Sequence, residues 1–94
     1  MNKYESVIII NPNTDEKAIE ETISKTTDLI TKQGKVIQIN KLGVKKLAYE
    51  IKRCKEGYYI SFEYKTDSSV IAEIERQFRI NESILKFLTV RKED

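Results

Sequence analysis

Histidine is absent from this 94-residue chain; cysteine and proline occur once each, and glycine three times. Without histidine there is no His-based catalytic triad, no His-ligated metal site and no imidazole acid or base near neutral pH. Cys54 stands alone, so neither an internal disulfide nor a CxxC site can form, which agrees with a reducing compartment. The glycines, Gly34, Gly43 and Gly57, are too widely spaced to make a phosphate-cradling loop. No apolar run approaches the roughly 18–20 residues of a membrane helix. Glu5 interrupts the apolar start, and no small-residue cleavage site follows, so no signal peptide is expected. These absences argue against an enzyme, a cofactor, a metal, a small-molecule substrate or a membrane partner, and they point to the cytoplasm.

The residues present describe a soluble protein. Lys and Arg total 17 against 15 Asp and Glu, a net charge of +2, with 39% apolar and 34% charged residues. That balance suits a globular fold rather than a disordered one. The length suits one domain over residues 1–94.

Hydrophobic patterning divides the chain into six elements. Tyr4–Ile10 reads as a strand ending at the Asn11-Pro12-Asn13 turn. Its run Val7 to Ile10 places apolar side chains on both faces, as in a central, covered strand. Residues 14–33 read as a helix capped by Asn13 or Thr14, with Ile19, Ile23, Thr26 and Ile30 on one stripe and Gly34 as its stop. Lys35 to Lys52 is a long strand broken by a bulge or bend at Gly43. A polar connection through Gly57 leads to a strand in which Tyr58, Ile60, Phe62 and Tyr64 alternate with polar neighbours, making a hairpin. Asp67-Ser68-Ser69 caps a second helix, Val70 to about Arg79, with Ile71, Ile74 and Phe78 on one face. Ile84–Val90 is the last strand, and Arg91 to Asp94 form a polar tail.

This βαββαβ order is the split βαβ, or ferredoxin-like, plan: α+β, a four-stranded antiparallel sheet with two helices on one face. The even residues Tyr4, Ser6, Ile8 and Ile10, with Tyr58, Ile60, Phe62 and Tyr64, are assigned to the helix-covered side. Val7, Ile9, Tyr59 and Ser61, with one parity of the last strand, then face away. That patch is too apolar for open water and predicts a protein partner on the sheet; scattered exposed apolar residues are the ordinary alternative.

Four stretches carry a family resemblance. They are Tyr4-Glu5 with Asn11-Pro12 around the first strand, Gly43-Val44-Lys45-Lys46-Leu47-Ala48-Tyr49-Glu50-Ile51, Gly57-Tyr58-Tyr59, and Phe78-Arg79-Ile80 before a final apolar strand. Together they resemble the bacterial small-subunit ribosomal protein six family, over essentially the whole chain. The resemblance implies a ferredoxin-like fold without catalysis and a place in the small ribosomal subunit. It also implies binding to the central domain of small-subunit ribosomal RNA and a heterodimer with small-subunit ribosomal protein eighteen. Many members carry Arg where this chain has Lys45, Lys46 and Lys86; lysine keeps the attraction to phosphate but loses the bidentate fork.

Charge patterning supports an RNA contact independently. Residues 32–55 hold eight basic residues against one acid, Glu50, a net of +7 within a chain of +2. The first helix instead carries Asp15, Glu16, Glu20, Glu21 and Asp28 against Lys17 and Lys25. A basic sheet edge attracts phosphates, although lysines on an edge strand also block edge-to-edge aggregation. Lys45, Lys46, Lys52, Arg53 and Lys55 are the candidate phosphate contacts, and Tyr49 and Tyr58 supply rings for stacking on unpaired bases. Lys86, Arg91, Lys92 and Arg79 complete the candidate set; Arg79 also suits the helix dipole. Cys54 sits between Arg53 and Lys55 and is read as a neutral loop position.

Three other uses of this plan have their own sequence requirements. An RNA-recognition motif needs two aromatics on one face of the third strand, whereas Tyr58 and Tyr59 point to opposite faces. An acylphosphatase-type enzyme needs an anion loop after the first strand, and residues 11–16 contain no Arg and end in acids. A small regulatory or ligand-sensing homodimer would cover the open sheet face with a second copy and remains the alternative.

Overall fold

The computed structural model describes residues 1–92. Its elements are β1 (Asn2–Ile10), α1 (Glu16–Thr31), β2 (Lys35–Ile51), β3 (Cys54–Thr66), α2 (Ile71–Ile80) and β4 (Ile84–Lys92). They form one antiparallel sheet in the order β2-β3-β1-β4, with α1 and α2 on one side, as the patterning predicts. The two middle strands are β3 and β1, and β1 carries the four-residue apolar run Val7 to Ile10 expected of a central strand.

The core forms where the even residues of β1 and β3 meet the helices. Tyr4, Ile8, Ile10, Ile60, Phe62 and Tyr64 are buried against Ile19 and Ile30 of α1 and Ile74 and Phe78 of α2. Each such side chain contributes about 1.5–3 kcal/mol by leaving water. Thr22 and Thr26 share the buried stripe of α1, and their hydroxyls donate to the carbonyls of Ala18 and Thr22 one turn back.

Local chemistry moves several predicted boundaries. The α1 cap is Asp15, whose carboxylate accepts from the Ala18 N–H at 2.8 Å. Asn11 is occupied one turn earlier, where its side chain accepts from the Asn13 N–H. Residues 68–70 form a 3₁₀ turn before α2, and Asp67 supplies a backbone carbonyl there rather than a side-chain cap. The expected connection between β2 and β3 is much shorter than the sequence suggested. Ile51 pairs with Cys54, so the turn is only Lys52-Arg53, at φ 47° and 66°. Cys54 is therefore a half-buried strand residue, not a loop residue.

β2 is too long to be straight. Seventeen residues at about 3.3 Å each would span more than 50 Å, whereas the longest extent of the molecule is 37 Å. Three register shifts against β3 absorb the difference. One brackets Gly43, whose φ of 82° is costly for any residue with a Cβ. Beyond it the hairpin turns back over the uncovered face of the sheet.

Candidate nucleic-acid interface

The uncovered face can be read row by row from the strand register. At one end Lys35, Lys65, Lys3 and Lys92 stand abreast on β2, β3, β1 and β4. Behind them Glu63, Glu5 and Val90 form the next row, and Lys3 pairs with Glu63 at 3.1 Å and Lys92 with Glu5 at 3.5 Å. Ser61, Val7 and Leu88 follow, and then Tyr59, Ile9 and Lys86. Two carboxylates thus offset half of the lysine row, and the centre of the face is apolar.

Leu88 and Val90 complete that centre at 61% and 41% exposure. The sequence left the parity of β4 open because Ile84 and Leu85 are both buried, and a register shift at Ile9/Ile10 resets the alternation. Val7, Ile9 and Tyr59 lie half-buried on this face, as expected. Ser61 also points this way. It is 7% exposed, and its hydroxyl donates to Glu5 Oε2 at 3.1 Å.

The basic residues fall into two groups. Lys45, Lys46, Lys52, Arg53 and Lys55, with the candidate ring Tyr49, all belong to the far half of the β2–β3 hairpin. Lys86 joins them from β4: its Nζ donates to the Tyr49 hydroxyl at 2.9 Å and lies 5.5 Å from the ring centroid. That hydroxyl holds the Lys86 ammonium above its ordinary value of 10.5, so the charge is present throughout the neutral range. Lys45 sits 5.8 Å over the Tyr59 ring. Arg79 lies 5.8 Å over Phe87, on the helix side of β4 next to Lys86. Arg91 and Lys92 are elsewhere, paired with Tyr4 and Lys3, five and six residues down β1 from Ile9 and roughly 17–20 Å away. Arg91 donates to the Asn2 side chain at 2.9 Å.

The two candidate stacking rings separate as well. Tyr49 is 62% exposed, while Tyr58 packs against the core from the helix side. Tyr49 is thus the exposed ring among the hairpin lysines. Lys41, counted in the basic segment, points to the helix side and pairs with Glu20 of α1, so its charge is spent within the chain. Among the described residues no cluster of three or more His, Cys, Asp or Glu is placed to hold a metal.

Fold and surface together define a class: a split-βαβ protein with one sheet face under helices and the other open, apolar at its centre and basic at one end. Comparison with known proteins makes the class specific. A family described as Ribosomal protein S6 matches residues 3–91. The small ribosomal subunit protein bS6 of Heliobacterium modesticaldum is 37% identical, covering 100% of this chain and 99% of the relative. That of Gloeobacter violaceus is 38% identical, covering 98% and 97%. The crystal structure of 30S ribosomal protein S6 from Thermotoga maritima superposes with a TM-score of 0.90 at 31% identity, covering 97% of this chain and 87% of that one. The chain belongs to the ribosomal protein S6 family, whose members are structural and not enzymatic. It is a protein of the small ribosomal subunit, as the resemblance implied, and so of the cytoplasm. No helix among the described residues is long and apolar enough to cross a membrane.

Proposed function

We propose that this chain binds the central domain of small-subunit ribosomal RNA through the basic hairpin end of its sheet, while small-subunit ribosomal protein eighteen covers the open face. The observation that carries this reading is the division of that face. Its centre is apolar, with Leu88 and Val90 exposed beside Val7 and Ile9, and the hairpin at its end carries Lys45, Lys46, Lys52, Arg53 and Lys55, with Lys86 held on the exposed Tyr49. An apolar centre suits a protein; lysines around a free ring suit phosphates and unpaired bases.

A net charge of +2 gives weak attraction to RNA on its own. A basic partner seated beside the hairpin enlarges the positive surface and shares the ordering cost, so tight binding requires both proteins. A gel-shift titration of a central-domain RNA fragment tests this, with the chain alone and with protein eighteen, at two salt concentrations. Binding that needs the partner and weakens as salt rises is the expected result. No binding in either case, together with a homodimer in sedimentation, supports the regulatory-dimer reading instead.

A further inference from the structure

The β2–β3 hairpin contains two residues that a phosphate-binding role leaves unexplained, Leu47 on β2 and Gly57 on β3. Leu47 is 8% exposed although Lys46 and Ala48 on either side are exposed, so the hairpin has a buried contact of its own. That contact is with the uncovered face. A Cβ on Gly57 would lie 2.3 Å from Ile9 Cγ2 and 3.5 Å from Leu47 Cδ2. The absence of a side chain at Gly57 opens a notch in which Ile9 of β1 and Leu47 of β2 close over β3. Two residues on, Tyr49 reaches across to β4 and takes the hydrogen bond from Lys86. The β2 arm of the hairpin is thus held at two points, one apolar and one polar, on β1 and β4, neither of which pairs with β2.

We propose that Leu47 and Tyr49, seated by Gly57 and Lys86, are positioning residues for RNA binding. They clasp the hairpin against the open face and fix Lys45, Lys46, Lys52, Arg53 and Lys55 in one arrangement before RNA arrives. The inference rests on the RNA-binding reading above and adds what that reading lacks, a reason for the apolar and glycine positions of the motif. A hairpin projecting from two strands alone is marginally stable. Without the clasp its ordering cost falls due on binding; with the clasp it is met on folding. Leu47 carries no charge and neutralises no phosphate, so its effect is separable from that of the lysines.

The experiment compares wild type, Leu47→Ala, Leu47→Met and Tyr49→Phe at a temperature where each is fully folded by circular dichroism. Protein eighteen is held at a concentration shown to saturate each variant. RNA affinity is measured against salt, and the mobility of the hairpin amides by heteronuclear NOE. Leu47→Ala is expected to lower affinity about tenfold, leave the slope against log salt unchanged, and lower the NOE of residues 48–54; Leu47→Met should restore affinity and NOE. Tyr49→Phe keeps the ring over the ammonium but removes the hydroxyl, and about threefold is expected. Tyr49 is exposed, so this arm stands even if Leu47→Ala fails to fold. Wild-type affinity in a variant with a mobile hairpin overturns the proposal, as does an unchanged NOE or a shallower salt slope in Leu47→Ala. Failure of wild type to bind RNA overturns the reading beneath it and the clasp together.

Discussion

Ser6 puts a hydroxyl in the middle of a strand whose other helix-facing residues are Tyr4, Ile8 and Ile10. Left unpaired, it would cost about 1–3 kcal/mol. It is paired twice, with the Tyr64 hydroxyl at 2.9 Å and with Thr89 Oγ1 at 2.7 Å, which ties β3, β1 and β4 together inside the core. Burial pushes the Tyr64 phenol above its ordinary value of 10.0, and the bonds to Ser6 and Thr89 pull it partly back. The folded state therefore holds this proton more tightly than the unfolded chain does. The linked stability is complete below the unfolded value of 10.0 and is lost as pH rises from there through the folded one. Tyr64→Phe removes the titration and leaves Ser6 paired with Thr89. A loss of about 1 kcal/mol at neutral pH is expected, read as a lower urea midpoint, with a flatter decline in stability above pH 10. A decline as steep as that of wild type would show that another group governs alkaline unfolding.

At the scale of elements, the Lys52-Arg53 turn stands out. Two-residue hairpin turns in which both central residues have positive φ favour Asn-Gly, because those residues tolerate the left-handed region; Lys and Arg pay for it. Here two cations occupy the strained tip of the hairpin proposed to meet RNA. Lys52→Asn with Arg53→Gly should stabilise the fold by about 1 kcal/mol, raising Tm by roughly 4–8 °C. The same change should weaken RNA binding and reduce the salt slope by up to about two units. A higher Tm with an unaltered slope would remove these two residues from the phosphate contacts.

That turn also marks where sequence patterning stops being informative. β1 and β3 were legible because strict alternation survives in strands with neighbours on both sides: Tyr4, Ser6, Ile8 and Ile10 fall on the core side as expected. The bend at Gly43 was legible because few residues but glycine accept its φ. The two-residue turn was not, since Lys-Arg carries no turn signal. The parity of β4 was hidden by the extra residue at Leu85. Of the interface, the basic segment could be read along the chain, whereas the meeting of Tyr49 with Lys86, 37 residues apart, depends on how a 17-residue strand bends.

Across the whole molecule, the two proposed contacts fall on different parts of the sheet, and that makes them separable. Val7 stands at the centre of the open face between Ser61 and Leu88. The lysines of the hairpin lie beyond the Tyr59–Ile9–Lys86 row. Val7→Lys places a charge in the apolar patch, where its desolvation on docking has no partner to offset it. The substitution is on the uncovered side, so the fold should persist, checked by circular dichroism, while heterodimer formation is lost. Lys45→Ala with Lys46→Ala should do the converse: the heterodimer forms normally, RNA binding weakens, and the salt slope falls by up to about two units. If RNA binding needs the partner, Val7→Lys also loses tight RNA binding, but the weak binding that remains should keep the salt slope of the isolated wild-type chain. A Val7→Lys variant that still forms the heterodimer would move the partner off the sheet face. An unchanged slope in the double lysine variant would return those lysines to the role of guarding a sheet edge.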